Sequence, residues 1–313
     1  MQPHTCLPAA GLRRRVALVL GVIAVAVTAV ACGSSSTGGA TGTIHVVAAE
    51  NFWGSIVTQL GGTHVSVTSI VSDPNADPHD YQSSASNARA FATAQYVILN
   101  GAGYDNWASS LLDANQSSSR TVFTVADLLG KKEGDNPHFW YSPSYVTQVA
   151  DRITGDLSKV DSGDASYFAQ QRATLTSDLK PYTDRIGAIK QQFSGRKVAA
   201  TESIFVYMAS ALGLDLISPP EFMQAVSEGN DPPASTVTAF QQQLQTGQAT
   251  VLVYNQQTAT DVTTNLRQLA SQKNIPIVGV TETIQPPDTS FELWQVGELN
   301  DLQNALNASK LTN

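Results

Sequence analysis

The sequence predicts an α/β protein of two four-stranded parallel-sheet lobes joined by a long α-helix, with a ligand cleft between the lobes. Three observations predict it. From Thr43 onward, short β-branched runs alternate with longer amphipathic ones four times in succession, the pattern of parallel strands linked by crossover helices. One long central stretch then repeats its apolar residues at helical spacing. After it the alternation resumes for four more strands.

The chain opens on an export signal, residues 1–31. Arg13, Arg14 and Arg15 form a positive region, and residues 16–30 are an uncharged, apolar run in which Thr28 is the one polar side chain. Such a run is shorter than the roughly 20 residues needed to span a bilayer, so a cleaved signal is expected rather than a permanent helix. AVAC at residues 29–32 follows, and then the Gly/Ser/Thr-rich GSSSTGGATGT. AVAC resembles the lipobox of bacterial lipoproteins, with Ala29 where Leu is usual. That resemblance implies lipidation of Cys32 and an exported protein, lipid-anchored at the outer face of the cytoplasmic membrane. Residues 32–42 then form a flexible tether.

Cysteine count and charge narrow the chemistry. Once the signal with Cys6 is removed, Cys32 is the single cysteine, so an internal disulfide, a thiolate metal site and a cysteine nucleophile are all excluded. Loss of three arginines leaves 15 basic residues against 26 acidic ones, a formal charge of −11. An acidic exported protein is a poor match to nucleic acid. It suits a cation better, although acidity also serves solubility.

The N-terminal lobe spans residues 43–162. Its strand-like runs TIHVVAA, HVSVTSIVS, YVILNG and TVFTVAD are followed by the helical patterns NFWGSIVTQLGG, SSASNARAFATAQ, DNWASSLLDAN and SPSYVTQVADRITGDL. Residues 163–194 form the linking helix: Phe168, Leu175, Leu179, Tyr182, Ile186, Ile189 and Phe193 recur at steps of three, four or seven. Pro181 inside it is expected to kink it or remove one hydrogen bond. The C-terminal lobe, residues 195–313, has the strands KVAATE, LDLIS, VLVYNQ and IPIVGVTE, with an irregular PPEFMQAVSEGNDPP after the second.

In open parallel sheets ligands bind beyond the carboxyl ends of the strands, so two facing lobes would share one cleft there. His79 and His138 each lie in a loop after a strand–helix unit, and Pro78 and Pro137 fix the backbone just before them. Either one alone could be an incidental histidine in a turn; two of the same construction in one lobe point to ligation. His45 and His64 read as ordinary strand residues. In the second lobe Glu202 and Glu282 each end an apolar strand, where a carboxylate without a partner would be costly to bury. Two imidazoles and two carboxylates at one cleft make a four-donor cation site.

The run HVVAAENFWGSIVTQLGGTHVSVTSIVSDPNADPHDYQ, then NPHFWYSP, TESIFVYMASALGL and NIPIVGVTETI, resembles the cluster A-I metal-binding proteins that deliver zinc or manganese to ATP-binding cassette importers. The resemblance covers essentially the whole mature chain. It implies two α/β lobes joined by a long helix, metal ligation by His79, His138, Glu202 and Glu282, a partner permease in the membrane, and a monomer that is not an enzyme. The sequence departs from that pattern in QSSAS at residues 82–86, which replaces an acidic-Pro sequence, and in having Glu rather than Asp as the fourth ligand.

Two imidazoles with two carboxylates suit manganese, zinc or ferrous iron. Glu202 in place of a histidine tilts the set toward the harder ion, and LLGKKEGDN lacks the His-rich loop of zinc importers, so manganese stands ahead of zinc and iron behind both. Two other classes remain open. A receptor for an organic solute or siderophore would need an aromatic or basic pocket, for which Trp53, Trp107, Trp140 and Trp294 read better as packing. A metal-dependent hydrolase would need an open coordination position, and the chain lacks G-x-S-x-G, H-E-x-x-H and a Walker loop.

Overall fold

The computed structural model describes residues 42–75 and 78–309. The predicted signal, Cys32 and nearly all of the tether lie outside the described residues. The first sheet has strands β1 (Ile44–Glu50), β2 (Val65–Val71), β3 (Tyr96–Leu99) and β4 (Thr121–Thr124), all parallel, in the order β2-β1-β3-β4. Helices α1 (Asn51–Gly61), α2 (Ala85–Thr93), α3 (Asn106–Ala114), α4 (Val125–Leu129) and α5 (Pro143–Val160) surround it. Alternation along β1 divides its side chains between two apolar layers: Ile44, Val46 and Ala48 join the main core, while Val47 and Ala49 pack with Phe91, Val97 and Ala108 beneath α2 and α3.

Two helices follow, α6 (Ala165–Asp178) and α7 (Lys180–Phe193), where one kinked helix was expected. The break falls at Leu179, and Pro181 sits in the first turn of α7. A proline there costs no helical hydrogen bond, because the first-turn N–H groups have no intrahelical partner anyway. The second sheet repeats the plan with β5 (Lys197–Ala200), β6 (Asp215–Leu216), β7 (Leu252–Asn255) and β8 (Ile277–Val280), ordered β6-β5-β7-β8 and all parallel. Its helices are α8 (Val206–Leu212), α9 (Pro220–Ser227), α10 (Ala234–Gln245), α11 (Asp261–Gln272) and α12 (Phe291–Ala308).

Two local expectations fail for identifiable reasons. The stretch expected to be irregular contains α9, whose Phe222, Met223 and Val226 lie on one buried face behind an initiating proline. Strand β6 pairs through only two residues because Ser218 Oγ takes over the ladder, accepting from Ala200 N and donating to Ala200 O at 2.8 Å each. No helix among the described residues is long and apolar enough to cross a membrane.

The main core runs without interruption from one lobe into the other. Phe52 stacks on Trp140 with ring centroids 3.8 Å apart, and Tyr182 of α7 meets Phe291 of α12 edge-on at 6.2 Å. Between β3 and α3 the chain turns through Gly101, Ala102 and Gly103, all at positive φ, 78°, 56° and 89°. The buried Asp105 carboxylate accepts from Asn100 N at 2.6 Å and Gly101 N at 2.8 Å, which holds the turn closed.

A Cβ on Gly101 would sit 2.6 Å from Thr124 Cγ2 and 2.8 Å from Ala126 Cβ, besides adopting a disfavoured φ. Gly101→Ala is therefore expected to destabilise the protein by about 2–4 kcal/mol, combining strain and overpacking. Gly130→Ala has φ 64° but nothing within 4 Å of the new Cβ. It should cost only about 1 kcal/mol. Urea unfolding of the two variants measures both; equal losses would contradict the close packing at Gly101.

Candidate metal centre

The four donors singled out in the sequence meet at one point between the lobes. One ligand-type atom from each of His79, His138, Glu202 and Glu282 lies within 4.8 Å of the other three. His79 comes from a short 3-10 turn, Pro78–Asp80, and keeps 19% of its side chain exposed, whereas the other three are fully buried. His79 Nε2 lies 3.2 Å from Glu282 Oε2; His138 Nε2 lies 3.2 Å from Glu202 Oε1 and 3.8 Å from Glu282 Oε2. A tetrahedral zinc with bonds of about 2.0–2.1 Å needs donors roughly 3.3 Å apart; the two closest His–Glu pairs already lie near that spacing, and the wider ones, up to 4.8 Å, would have to draw in.

His138, Glu202 and Glu282 are each aimed by a second group. The loop before the second 3-10 turn, Phe139–Tyr141, carries Asn136, whose Oδ1 accepts from His138 N at 3.1 Å and contacts His138 Nδ1 at 2.7 Å. An oxygen that already accepts from a backbone N–H can only accept from the ring, so Nδ1 carries the proton and Nε2 faces the carboxylates with its lone pair or a second proton. Asn136 Nδ2 donates to Ser203 O of the second lobe at 2.8 Å, so the residue orienting His138 also docks the lobes.

The two acids share a clamp. Asn255, at the end of β7, donates through Nδ2 to Glu282 Oε1 at 2.8 Å and makes a very short bond to Glu202 Oε2. Thr258 Oγ1 donates to the same Glu202 oxygen at 3.0 Å, and Tyr104 OH reaches from the first lobe to Glu282 Oε2 at 2.6 Å. Glu202 Oε1 and His138 Nε2 are left without a hydrogen-bond partner, buried and facing each other. At 3.2 Å the two atoms attract as a His–Glu pair but make no well-aligned hydrogen bond, an arrangement that a bound cation between them would relieve.

The charges respond to this crowding. Burial alone would raise the Glu282 carboxyl, but the charge of His79 and then the contacts of His138 hold it well below the usual carboxylate range. Burial opposes a proton on His138, yet Glu202 first and Glu282 next outweigh it, so its pKa lies above the ordinary histidine value. Nearby acids shift the other way. Burial, then the charge of Asp105, pushes Glu50 well above the carboxylate range; burial raises Asp105 itself to about 6 against its two backbone hydrogen bonds.

Of the four tryptophans, Trp53, Trp140 and Trp294 are core residues. His45 is exposed on β1, and His64 lies just before β2 with its Nδ1 2.5 Å from Asp164 Oδ2, far from the site in both cases by position in the fold. Asn255, Tyr104, Thr258 and Asn136 were not picked out by sequence reasoning. Asn255 and Asn136 carried a usable signal, since one ends a strand and the other belongs to the Asn-Pro-His motif itself. A cavity of about 530 Å³ opens beside His79, lined by Tyr104, Glu133, Asp135, Val206, Met223 and Glu228 among others; of the four donors, His79 lines it.

Comparison with known proteins finds relatives of this chain in both sequence and structure. The sequence profile of the family described as zinc-uptake complex component A, periplasmic, matches residues 46–305. The manganese-binding lipoprotein MntA of Halalkalibacterium halodurans is 24% identical over 215 residues, 65% of this chain and 70% of that protein. The metal ABC transporter substrate-binding lipoprotein FimA of Streptococcus parasanguinis is 24% identical over 217 residues, 64% of this chain and 67% of that protein. Among solved structures, the manganese-bound periplasmic metal binding protein of Candidatus Liberibacter asiaticus superposes with TM-score 0.67 at 18% identity, covering 83% of this chain and 98% of that one. ZnuA superposes with TM-score 0.68 at 21% identity, covering 84% and 99%. These two structures share the fold.

In the metal-free protein, the raised His138 contributes stability that is complete below the unfolded histidine value of about 6.5 and lost as pH rises through its higher folded value. Asp105, raised to about 6, acts in the same direction at lower pH. Glu282 acts oppositely, its contribution fading only as pH falls through its depressed value. The melting temperature of chelator-stripped protein should thus fall between pH 5.5 and 8.5, and His138→Gln should make that fall smaller. An identical slope in the variant would contradict the pairing of His138 with the two acids.

Proposed function

The chain belongs to the zinc-uptake complex component A family, and on that premise we propose that His79, His138, Glu202 and Glu282 bind a divalent transition metal, manganese or zinc, for import. The protein is the solute-binding component of an ATP-binding cassette importer, capturing the ion outside the cytoplasm and delivering it to a membrane permease. The observation that supports the reading best is the meeting of two imidazoles and two carboxylates in one buried point between two lobes, with His138 Nε2 and Glu202 Oε1 left unpartnered. No catalytic step is assigned: four protein donors close the coordination sphere that a hydrolytic metal keeps open for water.

Binding requires the proton on His138 to leave, so uptake of the ion releases protons and strengthens with pH. Release follows from the architecture as well. His79 and His138 belong to one lobe and Glu202 and Glu282 to the other, so any movement that parts the lobes splits the ligand set in half. Docking on a permease is the event we assign to that movement. Cys32 anchors the chain to the outer face of the cytoplasmic membrane by a lipid, and the protein acts as a monomer.

The preference for manganese over zinc rests on hard oxygen donors, and it is a relative one, because zinc is held more tightly than manganese by almost any such set. The relatives are divided: the family is described by zinc uptake, MntA is named for manganese, and the iron-binding protein YfeA of Yersinia pestis, 24% identical over 159 residues, for iron.

Elemental analysis of protein purified without chelator should find one manganese or zinc per chain, and competition between the two ions then ranks them. Glu202→Ala should weaken binding by at least about 100-fold, since even partners outside the ligand set are worth 10–100-fold. Unchanged stoichiometry and affinity in that variant would remove Glu202 from the site.

A further inference from the structure

Glu298, on α12, is not one of the four donors, yet it lies where the two halves of the site are joined. Its Oε1 accepts from Thr281 N at 2.9 Å and from Trp294 Nε1 at 3.0 Å. Its Oε2 lies 2.8 Å from Tyr141 OH, which also lies 2.8 Å from Thr281 O. Tyr141 stands three residues after His138 and its N–H bonds His138 O at 3.1 Å; Thr281 immediately precedes Glu282. The carboxyl group therefore ties the segment carrying one ligand in the first lobe to the strand end carrying another in the second.

Proton counting fixes its state. Tyr141 has one hydroxyl proton but two oxygen neighbours at full hydrogen-bond distance. The Thr281 carbonyl can only accept, so the phenol proton belongs there, and the contact with Glu298 is favourable only if Glu298 Oε2 donates to Tyr141. A carboxylate would set two acceptors against each other. Meanwhile Oε1, with two N–H donors, behaves as the carbonyl oxygen of a neutral acid. Burial pushes the Glu298 carboxyl up to about 8, in agreement, even though part of the residue's surface remains accessible. The other titratable group facing it is Tyr182 of α7.

We propose that Glu298, as a neutral acid donating to Tyr141 and accepting from Thr281, is a positioning residue that sets the approach of His138 to Glu282 across the lobe interface. The inference rests on the metal-binding reading of the four donors. It makes the interlobe seam, and not only the ligands, a determinant of affinity: with Glu298 in place, the two half-sites arrive in register when the lobes close. Without it, Thr281 N and Trp294 Nε1 lose their shared acceptor, and the Tyr141–Thr281 O bond is left as the remaining tie of this seam between the first lobe and the strand end that bears Glu282.

The test compares manganese and zinc affinity in full-length wild type, Glu298→Ala, Glu298→Gln, Tyr141→Phe and the Glu298→Ala/Tyr141→Phe double variant at pH 7. Glutamine keeps one acceptor and one donor, as a neutral acid does. The expected result is about 10–100-fold weaker binding for Glu298→Ala, the usual cost of removing an orienting partner. Glu298→Gln should stay within about threefold of wild type, and the double variant should be no weaker than the worse single one, as coupled residues require. Should Glu298→Ala fail to fold, the contrast between Tyr141→Phe and Glu298→Gln carries the test. Affinity unchanged in both Glu298→Ala and Tyr141→Phe, or Glu298→Gln as weak as Glu298→Ala, overturns the inference while leaving the metal site intact. Wild type that holds no metal overturns the metal-site reading, and this one with it.

Discussion

The structure depends on placing ionisable groups where water cannot reach them. His138, Glu202 and Glu282 have no exposed side-chain surface. Removing such groups from water costs several kcal/mol per ion unless opposite charges and hydrogen bonds replace the lost solvation. Here the replacement is partial by construction. Asn255 and Thr258 satisfy the outer oxygens of the two acids, Tyr104 donates to the same Glu282 Oε2 that faces the histidines, and Glu202 Oε1 is left to His138. Without an ion, the raised pKa of His138 and the depressed one of Glu282 favour a proton on His138 beside an ionised Glu282. On the proposed reading the centre exchanges protons for a metal rather than filling a neutral hole.

Everything around the site serves that placement. Parallel strands deliver their carboxyl ends to one edge, so β5, β7 and β8 present Glu202, Asn255 and Glu282 side by side. The first lobe answers with Pro-braced turns rather than strand ends, because an imidazole needs its ring plane fixed by a neighbour, as Asn136 fixes His138. Contacts between the lobes are dense and of two kinds. Apolar packing joins the linking helix to the second lobe through Tyr182 on Phe291, and polar seams through Asn136, Tyr141 and Glu298 join the lobes beside the site. A further seam, in which Ile284 N and Phe291 N donate to Asn51 Oδ1 and Ser55 Oγ, fastens the loop after Glu282 to α1. A continuous core of this kind favours small relative movements of the lobes over wide opening, and small movements suffice to undo a ligand set divided two and two.

The eight strands and the four donors were legible in the sequence because each has a local signature. Strand–helix alternation is a matter of period, a Pro-His pair is a matter of adjacency, and an acid ending an apolar run is conspicuous by its cost. What was not legible depends on tertiary partners. Asn255 ends its strand as Glu202 and Glu282 follow theirs, but an amide carries no charge to betray a buried clamp. Glu298 sits on α12 among residues that read as an ordinary amphipathic helix, and only Tyr141, more than 150 positions earlier by an H-bond separation of 157, reveals that it faces inward. Helix α9 was hidden by its flanking prolines and glycine, and the break at Leu179 by an apolar spacing that continues through it.

X-ray absorption spectroscopy of the manganese- or zinc-loaded protein tests the central claim most directly, because it reads the donors themselves. Two imidazoles and two carboxylates should give a shell of nitrogen and oxygen with no sulfur, plus the multiple-scattering signature of about two histidine rings, and His138→Gln should reduce that signature by half. A loaded protein whose spectrum lacks imidazole scattering would contradict the account, whichever metal it held.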